Sequence, residues 1–136
     1  MTLVVDTSVT MTWCFEDEAT DETDSVLDEL KHDGAVVPAL WQFEVANVLL
    51  VAERRGRITE AQTVRFLDLV HRLPIQVDAS PADSSALLAA GRRYDLSAYD
   101  ASYLILAERL AAPLATLDGG LIAACRSAGV ALCLRS

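Results

Sequence analysis

The chain has 136 residues, 52% of them hydrophobic and 23% charged, a globular composition that leaves no room for two ordinary domains. Its longest uncharged stretch, 34–43, is about half a spanning helix, which excludes membrane insertion, and MTLVVD at the N-terminus has no basic region to predict a secretory signal. The net charge is −9, with one lysine, Lys31, against ten arginines, and the three cysteines lack CxxC spacing; a GxxxxGK phosphate loop is excluded, lysine Schiff-base chemistry is disfavoured, and the thiols fit small buried groups in a reducing cytoplasm.

LVV at 3–5 predicts a buried strand, and the Asp-Thr-Ser behind it a helix start. Residues 16–33 hold nine acids and one lysine, a local charge of −8, while the rest of the chain is nearly neutral. Within that block Val26, Leu27 and Leu30 predict a helix over 21–32 that Gly34 stops. The acids read either as a solvated helix face or as a docking surface for a basic partner, so overall acidity does not exclude an RNA substrate. AVV at 35–37 predicts a second strand closed by Pro38. From about Trp41 to Arg55 a helix is apolar on nearly every side, through Phe43, Val45, Val48, Leu49, Leu50 and Val51, and requires cover on both faces. Thr59 opens another helix that ends near His71, and IQV within 73–77 predicts a third strand. Ser80-Pro81 predicts a helix with proline at its first position, running through Leu87 and Leu88 to Arg92 and Arg93. Ser97 caps a helix from Ala98 to about Leu110, LATL at 114–117 predicts a fourth strand, Asp118 leads into a helix ended by Gly129, and VALCL at 130–134 predicts the last strand. Strands alternating with helices, without hairpin signals, predict one α/β domain over 1–136: a parallel sheet of about five strands with helices on both faces.

In an open parallel sheet the site lies at the carboxyl ends of the strands. Asp6, Glu44, Asp100 and Asp118 fall there or at adjoining helix starts. Each has a local alternative. Asp6 and Asp118 read as N-caps, Asp100 as part of a capping box with Ser97, and Glu44 as an ordinary acid on the flank of its helix. Four converging carboxylates repel one another and raise their pKa values unless a cation neutralises them. No lysine or histidine is placed to do so, since His32 and His71 lie in helices remote from these acids in the chain, which also argues against a zinc-type site. A hard divalent ion, Mg²⁺ or Mn²⁺, is the natural counter-charge, and acid-only sites of this kind suit phosphodiester hydrolysis.

VVDTSV at 4–9, FEVANVL at 43–49, YDASYLILAE at 99–108 and ATLDGGL at 115–121 resemble the four motifs of PIN domains in order and spacing, and the chain is similar throughout to the VapC-type toxins of bacterial toxin–antitoxin pairs. The resemblance implies a PIN domain over 1–136 with Mg²⁺-dependent endoribonuclease activity, Mn²⁺ substituting. Asp6, Glu44, Asp100 and Asp118 would form its acid and metal cluster, with Asp6 and Asp100 as principal ligands. Thr116 matches the hydroxyl residue two before the fourth acid, Ser8 a polar position of the first motif, and Asn47 a position one turn after Glu44. Gly119-Gly120 departs from the family, where a basic residue often follows the fourth acid. The implied partners are RNA, a VapB-like antitoxin and a second copy in a homodimer or higher toxin–antitoxin assembly, in the cytoplasm and with no membrane. Arg92 and Arg93, like Arg54, Arg55 and Arg57, read either as charge compensation at helix ends or as phosphate contacts. Trp13, Phe15 and Trp41 read as core or as a further covered surface. Alternatives from other classes are a catalytically silent interaction module on the same fold and a DNA-cleaving nuclease with the same site. A phosphoacceptor receiver domain would want a lysine near the fourth strand, and Lys31 precedes the second.

Overall fold

Leu3, Val4 and Val5 are fully buried and form β1 (Leu3–Val5), one of two inner strands of the sheet in the computed structural model, which describes residues 2–134. β1 reads as a continuous apolar run because helices cover both of its faces. It pairs in parallel with β2 (Ala35–Val37) on one side and β4 (Leu114–Ala115) on the other, and β3 (Ile75–Val77) joins β2, giving the order β3-β2-β1-β4. The expected last strand is reduced to a single parallel bridge between Leu114 and Leu132, flanked by hydrogen bonds from the Leu114 amide to Ala131 and from the Cys133 amide to Leu114. β4 is also shorter than expected, because Thr116 and Leu117 leave the ladder to serve the site described below.

The helices are α1 (Thr7–Thr12), α2 (Asp21–Asp33), α3 (Leu40–Arg54), α4 (Glu60–Arg72), α5 (Ser84–Tyr94), α6 (Ala98–Leu110) and α7 (Gly119–Ala128), with a 3-10 turn at Glu16–Glu18. Thr20 and Thr59 start α2 and α4 with reciprocal capping boxes, each satisfying otherwise orphaned backbone donors. α5 corrects the sequence reading. It does not begin at Ser80-Pro81; Asp83 caps it by accepting from the Ser85 and Ala86 amides, and the first helical residue is Ser84. A side-chain acceptor at 83 satisfies two orphan amides, which proline's fixed φ at 81 does not. No helix among the described residues is long and apolar enough to cross a membrane.

Phe15 and Trp41 belong to the core, and Trp13 is half-buried, its indole Nε1 donating to the Thr23 carbonyl. They are therefore not an extra surface. On α3, by contrast, the inner stripe Trp41, Val45, Leu49 and Ala52 is buried, while Phe43 remains 74% exposed and Leu50 is exposed beside it. The expected second cover of this helix does not come from the described residues of this chain. The three cysteines are free thiols; Cys125 is fully buried, and burial pushes its thiol up to about 11, so it packs as a small neutral group.

Gly34 joins α2 to β2 with φ 77° and ψ 171°, a region reserved for glycine, and a Cβ there would meet the Pro74 carbonyl oxygen at 3.2 Å. Gly34→Ala is expected to lower the unfolding free energy by about 1–3 kcal/mol in urea titrations. Gly119→Ala, at a helical position with nothing within 4 Å of the added Cβ, is expected to stay within about 0.5 kcal/mol of wild type. Equal stability of the two variants would contradict this account of the α2–β2 junction.

Candidate active site

Asp6 leaves β1 at its carboxyl end and caps α1, its Oδ1 accepting from the Val9 amide at 3.1 Å. It is only 3% exposed, so every hydrogen bond it lacks would be costly. Two further donors reach it. Ser8 Oγ donates to Oδ1 at 2.6 Å, and Thr116 Oγ1, brought alongside by the parallel pairing of β1 with β4, donates to Oδ2 at 2.5 Å. The donors are themselves held: the Leu117 amide donates to Ser8 Oγ at 3.0 Å and the Asp118 amide to Thr116 Oγ1 at 3.0 Å. Burial still outweighs these bonds and raises the Asp6 pKa from 3.8 to about 6, with the charge of Asp100 adding to the rise.

Asp118 caps α7, its Oδ2 accepting from the Leu121 amide at 2.9 Å. The capping alternative for Asp6 and Asp118 is thus correct as far as it goes. In each case the cap anchors one oxygen and sets the direction of the carboxylate. Asp100 lies in the first turn of α6, which packs on β1, β4 and α7. Ser97 Oγ accepts from the Asp100 amide at 3.1 Å, but the reciprocal half of the expected capping box is missing, and among the described residues the Asp100 carboxylate makes no hydrogen bond. Its pKa is raised by burial and then by the charges of Asp118 and Glu44. Asp118 and Glu44 therefore act electrostatically on Asp100, and Asp100 in turn on Asp6.

Glu44 sits on the fifth residue of α3, not directly after β2. Two contacts one helical turn apart hold α3 antiparallel to α1: Trp41 Nε1 donates to Thr10 Oγ1 at 3.0 Å, and Thr7 Oγ1 donates to Glu44 Oε1 at 3.0 Å. The Tyr103 hydroxyl donates to the same Oε1 at 2.5 Å. Thr7 and Tyr103 were inside the sequence motifs but not singled out there. Tyr103 could have been found from its place one turn after Asp100 on the same face of α6.

Of the supporting residues, Ser8 and Thr116 bind Asp6 directly. Asn47, one turn after Glu44, is exposed on α3 and makes no hydrogen bond among the described residues. Arg92 and Arg93 lie exposed in the last turn of α5, where positive charge complements the helix dipole, and Arg92 borders a groove with Leu96 and Ala98 next to the start of α6. Arg57 is engaged elsewhere, paired with Asp17 at 3.1 Å and stacked on Phe15 at 3.8 Å. His32 and His71 lie on α2 and α4, away from the acids.

Among the described residues no three carboxylate, histidine or cysteine side chains converge closely enough to enclose a metal ion, and none of the four acids has a cationic partner within ion-pair distance. The donor set nevertheless fits a hard divalent ion: carboxylate oxygens only, three of the four acids at helix N-terminal turns, and a repulsion among them that raises pKa values.

The family profile of the PIN domain matches residues 3–126. Among solved structures, PAE2754 from Pyrobaculum aerophilum superposes with a TM-score of 0.71 at 24% identity, over 91% of this chain and 84% of that one, a likeness of fold. No curated protein sequence matches.

The raised pKa of Asp6 has a consequence for stability. The folded protein holds this proton more tightly than the unfolded chain, so the contribution of Asp6 is fully present below about pH 3.8 and lost as pH rises through about 6. A shift of this size corresponds to roughly 3 kcal/mol. In metal-free buffer at pH 7.5, Asp6→Asn is therefore expected to be more stable than wild type, with the gap closing toward pH 4. Millimolar Mn²⁺ or Mg²⁺ is expected to raise the Tm of wild type and not that of the variant. A variant equally stabilised by Mn²⁺ would remove Asp6 from the cation site.

Proposed function

The chain belongs to the PIN domain family, whose members are generally metal-dependent nucleases, and from that premise we propose that it is a Mg²⁺-dependent endoribonuclease, the toxin of a VapC-type toxin–antitoxin pair in the cytoplasm. The observation that carries this reading is the set of four mutually repelling carboxylates, Asp6, Glu44, Asp100 and Asp118, with no cationic partner among the described residues. Asp6 and Asp100 are its principal ligands, with Asp118 and Glu44 completing the set. A divalent ion held there supplies activation of water and stabilisation of a departing oxygen. The protein's part is orientation. Ser8 and Thr116 fix Asp6, the Leu121 amide of α7 fixes Asp118, and the Asp100 carboxylate is left without a donor among the described residues. Arg92, exposed at the groove beside α6, is suited to an RNA phosphate.

No histidine or lysine borders these acids, so the chain offers no imidazole or amine as general base for attack by a ribose 2′-hydroxyl. Cleavage products are expected to carry a 5′-phosphate and a 3′-hydroxyl. Activity is expected to vanish in chelator, return with Mg²⁺ or Mn²⁺, and survive His32→Ala combined with His71→Ala. Asp100→Asn is expected to lose more than about a hundredfold in rate, since residues merely supporting a ligand already approach that figure. A 2′,3′-cyclic phosphate product would overturn the reaction. Cleavage of DNA in place of RNA would change the substrate, and absence of metal binding would leave a silent interaction module.

The partner surface follows the same reading. The 3-10 turn and α2 carry the −8 block, α3 presents Phe43 and Leu50, and a groove of about 600 Å³ lined by Ser8, Phe15, Glu18, Val48, Arg57 and Leu117 opens beside the site. An antitoxin with both basic and apolar residues matches this combination, and a second copy of the chain in a homodimer or higher assembly is the other claimant for the α3 face. In a co-purified complex, hydrogen exchange is expected to slow over 16–52 more than over 80–136. Protection confined to 80–136 would contradict it.

A further inference from the structure

The Tyr103 ring is 1% exposed, yet its hydroxyl points into a polar triangle with Glu44 Oε1 at 2.5 Å and Thr7 Oγ1 at 3.1 Å; Thr7 in turn lies 3.0 Å from the same Oε1. Each hydroxyl owns one proton, so the three contacts cannot all be hydrogen bonds at once. The shortest runs from the phenol to the carboxylate, the strongest donor–acceptor pair of the three. Thr7 then has its proton for either Glu44 or the phenol oxygen. Glu44 Oε2 receives no protein donor among the described residues.

We propose that Tyr103 is a positioning residue for Glu44: its hydroxyl, backed by Thr7, pins Oε1 so that Oε2 alone is left for the cation. The proposal deepens the nuclease reading and rests on it. Its physical basis is the tether between elements. Glu44 comes from α3 and Asp100 from α6, two helices brought to the same edge of the sheet by different loops, and Tyr103 shares a face of α6 with Asp100. The phenol therefore fixes the Glu44 carboxylate relative to the helix that carries Asp100. A Glu side chain with three free torsions would otherwise lose rotamer entropy on taking up that geometry.

Tyr103→Phe keeps the buried ring and removes only the hydroxyl. With Mn²⁺ binding to the full chain followed by electron paramagnetic resonance, the expected result is about 10–100-fold weaker affinity, the loss typical when the partner behind a ligand is removed. On RNA, kcat is expected to fall with KM little changed. In a Glu44→Gln background the same substitution is expected to add almost nothing to the loss of Mn²⁺ affinity, because the two residues act through one contact. A merely structural role for Tyr103 would give additive losses, and that result would overturn the proposal. Wild-type Mn²⁺ binding with unchanged affinity in Tyr103→Phe would also overturn it while leaving the nuclease reading intact. Absence of Mn²⁺ binding by wild type would take down the nuclease reading and the proposal with it. Independently of either variant, the Tyr103 hydroxyl proton is expected to exchange slowly with water in nuclear magnetic resonance spectra of the wild type and rapidly in Glu44→Ala; fast exchange in both would show that the contact does not hold.

Discussion

A carboxylate buried to 3% exposure at the end of β1 is the constraint around which the site is arranged. Desolvating Asp6 is costly, and the fold answers with three donors from three directions: the α1 amide of Val9, the hydroxyl of Ser8, and the hydroxyl of Thr116 from the neighbouring strand. The last of these requires β4 to lie beside β1 in the observed register, Val5 opposite Ala115. Sheet pairing and site geometry are therefore one fact. The 114–117 segment gives up half its expected strand so that Thr116, Leu117 and Asp118 can turn toward Asp6 and Ser8.

The second half of the site is joined to the first through α1. Thr10 on that helix donates to the Asp6 carbonyl at 2.8 Å and accepts the Trp41 indole, and Thr7, one turn earlier, meets Glu44. A displacement of α3 along α1 would break both contacts together and strand a buried indole N–H. Trp41 is thus a core residue with a functional effect: it sets the helix on which Glu44 is carried. Among the described residues no buried side-chain polar atom is left without a hydrogen bond, so the polar network is completed within the core and not merely tolerated there.

Stability and the clustering of negative charge pull against each other at these acids. Raised pKa values on Asp6 and Asp100 mean that the ionised cluster costs folding free energy at neutral pH, a cost that a bound cation offsets. Helix N-termini at Asp6, Asp100 and Asp118 reduce the penalty through their partial positive charge without neutralising the acids. Elsewhere the acidic charge is harmless, because the block on the 3-10 turn and α2 is solvated, and α2 concentrates three acids in its first turn, where the dipole favours them.

The sequence by itself determined the class of fold and singled out four acids whose charges the structure brings within reach of one another. Apolar triplets such as LVV and AVV, alternating with helical stripes, admit only a parallel sheet flanked by helices, and carboxylates at strand ends are visible because strand ends are marked by the loss of apolar residues. Single-residue signals were less dependable: Ser80-Pro81 looked like a helix start, and Asp83, a few residues on, had the better capping chemistry. What only the tertiary structure decided was pairing across distance. Thr7 looked like one more hydroxyl in a helix start and Tyr103 like one more aromatic in a core helix. A residue's spacing along the chain fixes which face of its own helix it occupies, but not which other helix that face will meet. The packing of α1 against α3 and of α6 against the sheet brings Thr7, Glu44 and Tyr103 to one point, and that convergence depends on long-range contacts that no local pattern encodes.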